Sequence, residues 1–241
     1  MNEADLALLS PGELTRLRTL RGATGIHYAA AHASVRRVIA RYVRTDAAHI
    51  EFGTATCVTC HSSAHGKPVI VRPDSTQLRF SHSRSGPFWS LAIATVDVGL
   101  DIEERRELDT QGVGDFALST AERELLAELA DRERQLAFFR CWTRKEAVVK
   151  ASGHGLSASL RTVEVMTSTA PWARVDHASA VAPDGWVVGD LQVFPALSMA
   201  LAYKARDADD PAAVERVAVF DEHGCGWPGP PTDWPQSALL G

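Results

Sequence analysis

Two acids alternate with apolar residues in Val98-Gly99-Leu100-Asp101-Ile102-Glu103, a run that reads as a buried strand. Alternate side chains of an extended chain share a face, so Val98, Leu100 and Ile102 point one way and Asp101 and Glu103 the other. Two carboxylates about 7 Å apart and partly desolvated repel, and a site that holds both ionised supplies a cation or gives one of them a proton. A divalent metal is the natural guest. Further along, in Trp142-Thr143-Arg144-Lys145-Glu146-Ala147-Val148-Val149-Lys150, positions 142, 146 and 150 lie four apart and stack along one helix face. Phe138 and Trp142 mark that stripe as apolar and place Glu146 at the edge of the core. Spacing alone is satisfied by an i,i+4 ion pair with Lys150, a surface device contributing about 0.3–0.5 kcal/mol. The company of Asp101 and Glu103 points elsewhere: three acids and a lysine suit Mg2+ facing a phosphate substrate. Mg2+ takes a few carboxylates plus water and substrate phosphates rather than an all-protein cage.

The elements that must position these residues can be read around them. Ser10-Pro11-Gly12-Glu13 opens a helix, with Ser as cap, Pro first and Glu third, running to about Arg21. A second helix is expected over 28–42, where Ala31, Val35, Val38, Ile39 and Tyr42 recur at helical spacing. Arg36, Arg37 and Arg41 interleave, as a solvated face or a partner surface. From Ile50 to Val71 the pattern breaks into short segments, with Gly66-Lys67-Pro68 as a turn. Strands are expected at 78–81, 90–96 and 98–102, punctuated by Ser85-Gly86-Pro87. A polar connection between Arg105 and Gly114 is the expected boundary between halves, giving units 1–110, 111–206 and an extension 207–241. Ser119-Thr120-Ala121-Glu122 fits a capping box, and two helices broken near Asp131 run to about Ser152, closed by Gly153 and Gly155. Further strands are expected at 163–166, 186–194 and 197–203, and the last twenty or so residues read as a loosely packed tail.

A chain of 241 residues with 45 % hydrophobic content can bury a full core. Its net charge of -5 and pI near 6.0 argue against a nucleic-acid binder. The balance is uneven: residues 1–50 carry seven Arg and no Lys against four acids, so the amino-terminal surface can attract an anion. The start, Met1-Asn2-Glu3-Ala4-Asp5, has no basic region ahead of an apolar run, and no window approaches a membrane span. Four cysteines without a dense framework fit a reducing compartment, and the chain reads as cytoplasmic.

Four elements in register carry a resemblance. Gly99-Leu100-Asp101-Ile102-Glu103, the block from Phe139 through Trp142, Lys145, Glu146 and Lys150 to Leu156, the Phe80-Ser81-His82-Ser83 strand end and Gly66-Lys67-Pro68 resemble the 4'-phosphopantetheinyl transferases of the larger, surfactin-synthetase-activating type. The match in order and spacing covers roughly residues 25 to 205. The resemblance implies an α+β monomer of two similar halves related by a pseudo-twofold axis, with coenzyme A and Mg2+ in the cleft between them. It implies transfer of the 4'-phosphopantetheine arm from coenzyme A to a serine of an acyl or peptidyl carrier protein, releasing adenosine 3',5'-bisphosphate. Carried over residue by residue, Asp101, Glu103 and Glu146 hold Mg2+ against the pyrophosphate, with Asp101 also at the coenzyme. Glu146 is also the base for the carrier serine. Lys150 neutralises the pyrophosphate and protonates the leaving phosphate. Ser81 and His82 touch coenzyme A phosphates, and His65, Gly66, Lys67 and Pro68 the nucleotide. The implied partner is an acidic carrier protein, suited to the basic amino-terminal half and to Arg132, Arg134, Arg140, Arg144 and Lys145.

Two departures stand out. Many relatives place an arginine ahead of the second helix for the 3'-phosphate of coenzyme A, where this chain has His27, with Arg21 as a substitute; and Arg84 follows the usual serine. Competing readings exist. Cys57-Val58-Thr59-Cys60-His61 matches the c-type haem attachment pattern, and His65 adds a fourth zinc-ligand type, against the plainer reading of loop residues. A non-catalytic relative gripping coenzyme A or a carrier protein is a further alternative, opposed by retention of all three acids and Lys150. Another phosphoryl-transfer enzyme is opposed by the lack of a Gly-x-x-x-x-Gly-Lys-Ser/Thr loop and of a kinase signature set.

Overall fold

The computed structural model describes residues 2–57, 61–62, 66–74, 76–108, 110–154, 159–166, 172–176, 185–192, 194–204 and 214–220. The chain is α+β. Helices α1 (Glu3–Leu6), α2 (Pro11–Leu17) and α3 (Ala23–Val43) lead into strands β1 (Glu51–Thr54), β2 (Pro68–Arg72), β3 (Arg79–Ser85), β4 (Phe88–Ala94) and β5 (Val98–Glu104). Helices α4 (Thr110–Ala117), α5 (Thr120–Ala127) and α6 (Asp131–Ser152) follow, then β6 (Trp172–Asp176), β7 (Gly185–Asp190), β8 (Leu197–Lys204) and β9 (Val214–Phe220). The strands form three antiparallel sheets ordered β1-β2, β3-β4-β9 and β5-β8-β7-β6.

The capping box closes on both sides at α2: Ser10 Oγ accepts from the Glu13 N–H, and the Glu13 carboxylate accepts from the Ser10 N–H. Ser119 and Glu122 do the same for α5. Helix α6 ends at Gly153, whose φ of +77° is the left-handed conformation that glycine adopts without strain. Its start at Asp131 is where the sequence pattern breaks. Helix α3 begins five residues earlier than the periodicity suggests. Its Ala31, Val35 and Ile39 pack on Phe80, Leu91 and Ile93, the outer face of β3 and β4.

Strand β5 alternates as expected. Val98, Leu100 and Ile102 are fully buried, against Ala92 and Ala94 of β4 and beside Met199, Leu201 and Tyr203 of β8. Its other face carries Gly99, Asp101 and Glu103 and is covered by α6. A Cβ on Gly99 would lie 1.9 Å from the Ala147 carbonyl oxygen and 2.4 Å from the Ala151 nitrogen, so only glycine lets the helix backbone come this close. With Ala200 and Ala202 also small on β8, α6 lies directly on the strand, and Glu146 and Lys150 come down beside Asp101.

Several expectations are corrected. Residues 163–166 form no strand: a 3-10 turn at Leu160–Thr162 leads into extended chain whose carbonyls accept from side chains of α6. The connection after Arg105 contains helix α4. Residues 214–220, inside the expected extension, form a strand that pairs along β4. The expected strand 186–194 ends at Asp190, and the final residues of the tail lie outside the described set. No described helix is long and apolar enough to cross a membrane.

Candidate active site

Lys150 and Asp101 meet across the α6–β5 contact, with Nζ 2.6 Å from Oδ1. Lys150 also donates to Ser83 Oγ on β3 at 2.9 Å, and Ser83 donates to the same Asp101 oxygen at 2.8 Å. Two of the three ammonium N–H groups are thus used among the described residues, and one is left for a substrate oxygen. Two positions along β5, Ser85 donates to Glu103 Oε2 at 3.0 Å. Glu146, one helical turn before Lys150, is 8 % exposed.

Electrostatics sets these carboxylates apart. Burial, and then the charges of Asp101 and Glu103, push the Glu146 carboxyl up to about 7, with Lys150 opposing. Burial and Asp101 push Glu103 up as well, against Ser85 and Lys150. Two carboxylate oxygens, Asp101 Oδ2 and Glu146 Oε1, are buried with no hydrogen-bond partner among the described residues. Buried orphan acceptors of this kind cost free energy unless a cation or donor meets them. Among the described residues no three His, Cys, Asp or Glu side chains form a ready-made metal cage. Mg2+ does not require one, since water and substrate phosphate oxygens complete its shell. The orphan oxygens and the carboxyl held near neutrality therefore fit a divalent cation arriving with a phosphate ligand.

The other sequence-derived positions divide. Ser81 Oγ accepts from the Leu100 N–H at 2.9 Å, which seats β3 on β5. His82 lies on the opposite face of β3, its ring edge-on to His32 at 5.2 Å with Nε2 buried and unpartnered. Burial, with His32, Arg84 and Lys150 nearby, holds its pKa well below the usual histidine range. Gly66 precedes β2 and Pro68 opens it, while Lys67 Nζ bonds Asp97 at 2.9 Å and the Ala151 carbonyl at 2.8 Å, tying this loop to the end of α6. His65 and Cys60 lie outside the described residues; Cys57 is buried, its N–H donating to the Ser62 carbonyl.

The basic cluster assigned to a partner surface needs correction. Arg144 and Lys145 are completely buried. Arg144 grips Asp190 through Nε at 2.7 Å and Nη2 at 2.8 Å, and donates to the Val165 carbonyl. Lys145 pairs with buried Glu122 at 2.6 Å and donates to the Leu160 and Val163 carbonyls. These cations fasten α6 to α5 and to the chain at 160–165 and 190, and helical spacing gave no sign of it. Arg140 also pairs with Asp190. Sequence reasoning also missed a cluster on α2 and α3, where Glu13 binds His32 Nδ1 at 2.7 Å and Arg36 Nη2 at 2.8 Å. The third omission is the trio Ser81, Ser83 and Ser85, whose two-residue spacing matches that of Asp101 and Glu103 and was the available signal.

The family model described as the 4'-phosphopantetheinyl transferase superfamily matches residues 97–202, which contain β5, α6 and β8. The chain is 30 % identical over 159 residues to the 4'-phosphopantetheinyl transferase psf-1 of Bacillus pumilus, covering 66 % of this chain and 64 % of that protein. From β5 through α6 to β8 the chain is similar to this superfamily. It is also 29 % identical over 170 residues to the 4'-phosphopantetheinyl transferase Sfp of Bacillus subtilis (strain 168), covering 68 % and 69 % of the two chains. To the 4'-phosphopantetheinyl transferase HetI of Nostoc sp. it is 33 % identical over 117 residues, covering 45 % and 47 %. The alignments span about two-thirds of the first two relatives and half of the third. The superfamily match includes Asp101, Glu103, Glu146 and Lys150, whereas Ser81, His82 and Gly66 to Pro68 precede it.

Proposed function

We propose that this chain is a Mg2+-dependent enzyme that transfers 4'-phosphopantetheine from coenzyme A to a serine of an apo acyl or peptidyl carrier protein, releasing adenosine 3',5'-bisphosphate. One observation carries the reading: Lys150 and three acids gather where α6 crosses β5, with two buried carboxylate oxygens lacking a hydrogen-bond partner among the described residues. Asp101, Glu103 and Glu146 are the groups to hold Mg2+, which when bound offsets charge on the diphosphate. Glu146, with a carboxyl near neutrality, takes the proton of the carrier serine directly or through water. The serine oxygen attacks the phosphorus bearing the pantetheine arm, and the bond from that phosphorus to the departing bisphosphate breaks. Lys150 faces the diphosphate with its remaining N–H and protonates the leaving phosphate. Ser81, His82 and the loop His65 to Pro68 serve the coenzyme.

The same reading includes two similar halves, divided as 1–110 and 111–206 with an extension from 207, acting as a cytoplasmic monomer. Its partner is an acidic carrier drawn by the amino-terminal arginines, and nucleic acid and membrane play no part. The test is chromatography of coenzyme A incubated with the protein and Mg2+. Adenosine 3',5'-bisphosphate is expected only when an apo carrier is added. Binding of coenzyme A without that product would identify a non-catalytic relative instead.

A further inference from the structure

Three serines alternate along β3, and each hydroxyl is met by a backbone N–H of β5. Ser81 accepts from Leu100 at 2.9 Å, Ser83 from Ile102 at 3.4 Å and Ser85 from Glu104 at 2.9 Å. Strands β3 and β5 belong to different sheets, so side-chain oxygens here do the work of a main-chain ladder.

The consequence follows from what a hydroxyl can do. It has one proton to donate and two lone pairs to accept with. The lone pairs of Ser83 are taken by the Ile102 N–H and the Lys150 ammonium, so its proton has one destination, Asp101 Oδ1 at 2.8 Å. Ser85 takes the Glu104 N–H on one lone pair and donates its proton to Glu103 Oε2 at 3.0 Å. Each β5 carboxylate therefore has one oxygen held by a serine hydroxyl of β3. For Asp101 the other oxygen is the buried Oδ2, without a hydrogen-bond partner among the described residues.

We infer that Ser83 and Ser85 are positioning residues, which lock one oxygen of Asp101 and of Glu103 so that each presents its second oxygen to a divalent cation. This rests on the proposed role of the two acids as ligands. Partners that orient metal-binding carboxylates typically change metal affinity 10- to 100-fold when removed.

The test is Mn2+ binding followed by electron paramagnetic resonance in the presence of coenzyme A, a readout independent of turnover, with melting temperatures as the fold control. Ser85→Ala is expected to weaken Mn2+ binding at least about 10-fold, and Ser85→Thr, which keeps the hydroxyl, to stay within about 3-fold of wild type. Ser83→Ala should act in the same direction. If Ser83→Ala fails to fold, Ser85→Ala carries the test, because among the described residues its hydroxyl bonds Glu103 and the Glu104 amide and not Lys150. Wild-type affinity in a folded Ser85→Ala protein would overturn the positioning role and leave the ligand assignment standing. If wild type itself binds no Mn2+ with coenzyme A present, the ligand assignment falls.

Discussion

Replacing Glu146 by glutamine should stabilise the metal-free protein while abolishing its activity. A carboxyl raised from 4.5 to about 7 by burial and by Asp101 binds more protons folded than unfolded between those values. Its stabilising contribution is therefore complete below pH 4.5 and is lost as pH rises through 7. At pH 8 nearly the whole shift counts against the fold, and at 1.36 kcal/mol per pKa unit that is about 3 kcal/mol. Glutamine mimics the neutral acid and escapes this cost, so Glu146→Gln should gain about 2–3 kcal/mol at pH 8 and almost nothing at pH 4.5. For a chain of this size that is a rise in melting temperature of about 5–10 °C. The assay is thermal unfolding of both proteins in EDTA at several pH values, alongside turnover with saturating Mg2+. Turnover should fall at least about 100-fold, since the proposed proton acceptor and proposed ligand go together. A variant no more stable than wild type at pH 8, or one that keeps near-normal turnover, would refute the reasoning.

Lys145→Met should cost about 3–5 kcal/mol in urea unfolding, because it strands the buried carboxylate of Glu122; a surface lysine would cost under about 0.5 kcal/mol. Gly99→Ala forces a methyl group to within 1.9 Å of the Ala147 carbonyl oxygen, and the expected result is a loss of at least about 3 kcal/mol or no folded protein by circular dichroism. At Glu13, burial raises the pKa, but hydrogen bonds from His32 and Arg36 prevail and bring it to about 2. Its contribution is present above pH 4.5 and lost as pH falls toward 2, so Glu13→Gln should flatten the acid limb of the stability curve and cost about 2–3 kcal/mol at pH 7.

What the sequence made legible was what depends on near neighbours. Alternation placed Asp101 and Glu103 on one face of β5, four-residue spacing placed Glu146 and Lys150 on one face of α6, and Ser-Pro-x-Glu fixed the start of α2. Gly99 is one step more remote, because its absent side chain matters only against a helix some fifty residues later in the chain. Arg144 looked like a surface charge because its partner, Asp190, is 46 residues away and no periodicity links them. The strand expected at 163–166 had the right composition, yet its carbonyls satisfy Lys145 and Arg144 rather than another strand. The long-range polar pairs that hold α6 in place, Arg144 with Asp190 and Lys145 with Glu122, were hidden; local apolar patterning was not.

The most direct measurement is the intact mass of an apo carrier protein after incubation with this protein, coenzyme A and Mg2+, beside a control in EDTA. A gain of one phosphopantetheine on the carrier, absent in EDTA and absent with Glu146→Gln, is the predicted result. An unchanged carrier mass in every arm would contradict the proposed transfer, and an equal gain in EDTA would contradict the role given to the three acids.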